Sequence, residues 1–117
     1  KTAAADAKLQ TALLQDDRRE LKALGEVDTA YQTYAALTRQ NALLKTAHEQ
    51  ADKQAADATT LFRHGHKTLD ETLRAQLNEQ DMHDRLTQSR LARAQTLVGL
   101  YQAVRYWTTP PEQEVQA

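Results

Sequence analysis

The first proline of this chain is Pro110, and nothing ahead of it forces a helix to end. Up to that point apolar residues recur at spacings of three and four, on either side of one segment that loses the rhythm: Arg63-His64-Gly65-His66-Lys67. Spacing of this kind puts the apolar side chains on one stripe of a helix. Ahead of the break the stripe includes Leu9, Leu13, Leu24, Val27, Tyr31, Tyr34, Leu37, Leu44, Ala51, Ala55 and Ala58. Beyond it come Leu69, Leu73, Leu77, Met82, Leu86, Leu97, Leu100, Tyr101 and Val104. The pattern predicts an all-α protein, a long antiparallel, coiled-coil-like helical hairpin. Its helices span about 2–63 and 68–107, with a turn at about 64–67. Residues 1–109 form a single domain, and the short polar tail 110–117 is expected to be disordered.

The turn is signalled from both sides. Gly65 is the one strong candidate for a left-handed residue ending the first helix. Thr68, with Glu71 three residues on, reads as a capping box opening the second. Gly25 lies inside the first helix at a cost of about 1 kcal/mol relative to alanine, which predicts a soft point and no break. The second helix is shorter by roughly twenty residues, so the part of the first from about Thr2 to Leu24 has no intramolecular partner in a simple hairpin. A packing seam is expected along Leu24, Val27, Tyr31, Leu69, Leu73, Leu77, Leu97, Leu100 and Tyr101.

Composition agrees with helices that meet along narrow seams. There are 20 Ala, 16 Leu and 13 Gln, against four Val and no Ile, so strand formers are scarce. Apolar content weighted toward alanine, with six aromatics, excludes a thick globular core. Basic and acidic residues number 15 and 16 and are interspersed, which argues against nucleic-acid binding. With no cysteine, disulfides and thiolate metal sites are excluded. No apolar run is long enough to cross a bilayer as a helix. Lys1 in the place of an initiating Met reads as the start of a mature product or an excised piece.

Little in the chain points to catalysis. His64 and His66 form an H-x-H pair that His48 or Asp70 could extend into a metal site, but no third ligand sits at a dependable spacing. Their expected effect is a pH-dependent charge at the tip. Asp70 and Glu71 are adjacent on a helix, do not face one another and make a poor acid/base pair. No nucleophile motif, phosphate loop or zinc-protease motif is present. The reading is a non-enzymatic chain with no catalytic residue, no metal and no cofactor.

Three elements give the chain a resemblance to a family. Ala23-Leu24-Gly25-Glu26-Val27 lies in the first helix. Phe62 and Gly65 then lead into Thr68-Leu69-Asp70-Glu71-Thr72-Leu73-Arg74-Ala75-Gln76. Leu100-Tyr101-Gln102-Ala103-Val104 precedes Trp107. In this order and spacing they resemble the C-terminal helical pair of the TolC-like outer-membrane efflux channel proteins, their lipoprotein members included. The resemblance covers nearly the whole chain. It implies a periplasmic hairpin that, in three copies with partner repeats, builds a tunnel of helices beneath an outer-membrane β-barrel. It also implies that the tip, Arg63, His64, Gly65, His66, Lys67 and Thr68, docks the periplasmic adaptor (membrane-fusion) protein of a tripartite drug-efflux pump, whose third component is an inner-membrane pump. The expected location is the periplasmic portion of an outer-membrane protein. The membrane strands would belong to parts of that protein outside this chain. A second hypothesis is a stand-alone or engineered coiled-coil module that self-associates into a helical bundle. An enzyme or metal protein built on the histidines stands far behind both.

Overall fold

The structure, a computed structural model, describes residues 2–108, and of Trp107 the backbone alone. The tail 110–117 lies outside the described residues. Two helices account for nearly all of the rest: α1, Thr2–Arg63, and α2, Leu69–Thr108. Among the described residues there is no strand, and the protein is an all-α helical hairpin. α1 runs through Gly25 without interruption, as expected for a chain whose flanking residues favour helix strongly enough to absorb one glycine. The described chain divides into two compact units. One is Tyr34–Gln95, and the other joins the helix ends, Lys1–Thr33 with Thr96–Ala117.

In the first unit the turn is built by backbone hydrogen bonds. Gly65 has φ of 74°, the only positive value among the described residues. That lets the His66 N–H reach back to Leu61 O at 2.9 Å and the Gly65 N–H to Phe62 O at 3.0 Å. This bond pair is a Schellman motif, which satisfies carbonyls that the end of α1 leaves open. Thr68 Oγ1 then accepts the Glu71 N–H at 3.1 Å, and the Thr72 N–H bonds Thr68 O at 3.1 Å, so α2 starts at once. Asp70 and Glu71 in its first turn, and Arg63 in the last turn of α1, complement the helix dipoles.

This turn also decides which side of α2 faces α1. Thr72 is the first deeply buried residue of α2, and its hydroxyl lies 3.5 Å from Ala58 O. From there the protected positions follow alternating steps of three and four: Ala75, Glu79, Met82, Leu86, Ser89 and Arg93. The facing line on α1 is Ala58, Ala55, Ala51, His48, Leu44, Asn41, Leu37 and Tyr34. A seven-residue period of this kind is the coiled-coil pattern. The seam is thin. Nearest the tip it includes Ala51, Ala55 and Ala58, whose single methyl groups let the helices approach closely, and among the described residues no large side chain is fully buried.

In the second unit the half-buried side chains keep the same phase, Ala23, Val27 and Ala30 on α1 and Thr96, Leu100 and Ala103 on α2. Every described side chain from Thr2 to Lys22 is exposed. This agrees with the expectation that the start of α1 extends past the end of the shorter helix.

Candidate functional site

The six expected tip residues fall together, in the last residue of α1, the turn and the cap of α2. Arg63, His64, Gly65, His66 and Thr68 are exposed and Lys67 is half-buried. Leu61, Phe62 and Leu69 are exposed beside them, so the tip presents apolar groups together with basic and imidazole groups.

The residues of the expected packing seam divide by exposure. Of its nine residues, Val27 and Leu100 are half-buried, whereas Leu24, Tyr31, Leu69, Leu73, Leu77, Leu97 and Tyr101 are exposed. The physical reason is the turn. Once Thr72 is placed against Ala58, Leu73 points about 100° away from α1, and the leucine stripe follows it onto the outer surface. Spacing by itself reveals a stripe and not which neighbour covers it. Most of the large apolar side chains of α2, with Leu77 at 69 % exposure and Tyr101 at 68 %, lie off the seam.

Polar groups share the seam with Leu37, Leu44, Met82 and Leu86, and they meet across it in layers. Ser89 Oγ donates to Asn41 Oδ1. Arg93 Nη2 donates to Tyr34 Oη at 2.7 Å, and its guanidinium lies 4.8 Å from the Tyr34 ring centroid. The Arg93 Nε is buried with no hydrogen-bond partner. His48 Nε2 donates to Glu79 Oε1 at 2.8 Å, and the ring of His83 lies 5.4 Å from that of His48 at a tilt of 53°. Ion pairs such as Arg74–Asp70 at 3.0 Å and Arg85–Asp81 at 3.1 Å lie on the exposed surface, where such pairs add little stability.

His48, Glu79 and His83 are the group that could hold a metal ion, with one ligand atom from each and all three atoms within 4.8 Å of one another. His48 is thus placed with α2 and not with the H-x-H pair, which lies about four helical turns away in the turn beyond the end of α1. Sequence reasoning missed this trio. Glu79 and His83 stand at i, i+4, a legible spacing, but their meeting with His48 depends on the register of the hairpin. A groove in the first unit runs along Leu37, Leu44, Ser89 and Ala92 as an open furrow between helices. Compared with protein-family models, with curated proteins and with solved structures, the chain matches none.

Proposed function

We propose that the chain is an assembly hairpin, working as the resemblance implies: part of the periplasmic helical conduit of a TolC-like export channel, with an adaptor protein docked at its tip. The observation that carries this reading is the division of labour around each helix. The intramolecular seam combines alanine and polar layers with a few large apolar side chains such as Leu37, Leu44, Met82 and Leu86, while most leucine, valine and tyrosine side chains line exposed stripes. A hairpin that stood alone would expose these stripes to water, at a cost of roughly 25 cal/mol for each Å² left uncovered. In a tunnel each helix has a neighbour on both sides. The thin seam then serves the hairpin itself, and the stripes serve the next hairpin. The exposed start of α1 would be covered in the same way.

The tip supports the docking part of the reading. It is held by a Schellman motif and a threonine cap, so Leu61, Phe62, His64 and His66 project from a rigid support. In this reading the protein exports passively and performs no chemistry, the full-length form is a trimer, and the inner-membrane pump supplies the energy. The membrane-embedded strands belong to other parts of the same protein. The same exposed stripes favour the second reading, a stand-alone module that self-associates into a bundle.

Two measurements separate the readings. Light scattering after size exclusion reports whether the chain associates, and a monomer at all concentrations would refute the self-associating module. The chain has no native cysteine, so in a full-length protein freed of any cysteine elsewhere His66→Cys gives a single reactive site. Conduit function predicts cross-linking from this site to the adaptor in cells, and loss of dye efflux for Gly65→Trp. Unchanged efflux and no adaptor cross-link would leave the self-associating module.

A further inference from the structure

The two histidines away from the tip are placed with a carboxylate where the hairpin has no structural need of all three. We propose that His48, Glu79 and His83 bind one transition-metal cation of the zinc(II) class, bridging α1 and α2 within a single chain. Glu79 and His83 are one turn apart on the same face of α2, and His48 meets them from α1. His48 and Glu79 are half-buried in the seam and already in contact at 2.8 Å, so two ligands are held in place by packing. His83 is exposed and able to adjust. A tetrahedral zinc ion with bonds of about 2.0–2.1 Å needs ligand atoms about 3.3 Å apart. The spacings here, up to 4.8 Å, would have to adjust on binding, and the exposed His83 is the ligand with room to turn.

The ligand set also favours such an ion. Two imidazoles and one carboxylate form a borderline set that suits zinc, copper(II) or nickel and is poorly matched to calcium or magnesium. Three protein ligands leave a coordination position for water or a further ligand. A polar layer that served only to set register would need a single pair, as Asn41 and Ser89 provide further along the seam, beyond Leu44 and Leu86. Glu79 and His48 form such a pair, and His83 adds a third donor on the open side. An ion held there would tie the helices together about four turns from the tip and stiffen the tip-side half of the hairpin. This inference does not depend on the export reading.

The chain is stripped with a chelator and titrated with zinc chloride against a chromogenic competitor, with cobalt(II) absorption as the spectroscopic probe. One ion per chain is expected. Affinity should fall at least tenfold in His83→Ala, which changes an exposed residue, and in Glu79→Gln, which keeps the side-chain shape. Far-UV circular dichroism verifies that each variant is folded. Zinc should raise the Tm of the native chain and leave that of His83→Ala unmoved. Doubly substituted His64→Ala/His66→Ala, which removes the other two histidines, should bind as the native chain does. The proposal is overturned if the native chain takes up no zinc at micromolar concentration, if one ion is shared by two chains, or if binding is lost in the tip variant and kept in His83→Ala.

Discussion

Replacing Arg93 by methionine should change the stability of the hairpin by less than about 1 kcal/mol, although it removes two visible interactions. In favour of the arginine are its charged hydrogen bond to Tyr34 at 2.7 Å and its stacking 4.8 Å over the ring. Such terms contribute roughly 1.5–3 and 0.5–2 kcal/mol respectively. Against it stand the buried Nε without a partner and the partial desolvation of a half-buried charge. An unmet buried donor costs about 1–3 kcal/mol, and the charge a few kcal/mol more. The opposing terms are of equal size, and methionine keeps a long apolar stem in the seam. Tyr34→Phe is the informative partner. It leaves the cation in place without its acceptor, and it should destabilise by about 1–3 kcal/mol, more than Arg93→Met. Urea unfolding followed by circular dichroism, at one fixed protein concentration, measures both. If Arg93→Met cost more than about 2 kcal/mol and exceeded Tyr34→Phe, the layer would be a net source of stability and the reasoning would be wrong.

Four further substitutions test the turn, the helix interiors and the seam. Gly65→Ala should cost about 1–2 kcal/mol from the left-handed backbone alone, because an added Cβ meets nothing within 4 Å. Urea midpoints read this directly, and a neutral result would mean that the turn adopts another conformation. Gly25→Ala and Gly99→Ala, also unobstructed, should each stabilise by about 0.5–1 kcal/mol and raise the Tm. Ala58→Leu places three extra carbons at a position with 0 % exposure and should destabilise by about 1–3 kcal/mol, measured the same way.

The turn was legible in the sequence because each of its signals is local. Gly65 and Thr68 act through bonds to residues at most five positions away, and the structure shows the Schellman motif and the cap where they stand. The helices were equally legible, since alanine, leucine and glutamine favour helix whatever packs against them. The seam was not. Leu73 and Leu77 look like core by size and spacing, whereas Thr72, Glu79, Ser89 and Arg93 look like surface. Burial followed position relative to Ala58 and overrode residue type.

The trio of His48, Glu79 and His83 shows the same boundary. Half of it, the i, i+4 pair on α2, could have been found by inspection. The other half lies 31 residues away and meets it only in the observed register. By itself the sequence determined two helices, one turn and apolar stripes, because helix propensity, caps and periodicity are properties of neighbouring residues. Which stripe closes the hairpin, which polar groups meet in layers and which leucines stay exposed were decided only by the tertiary structure. The angle at which the turn delivers α2 against α1 is one rotation, and it sorts every side chain of the helix at once.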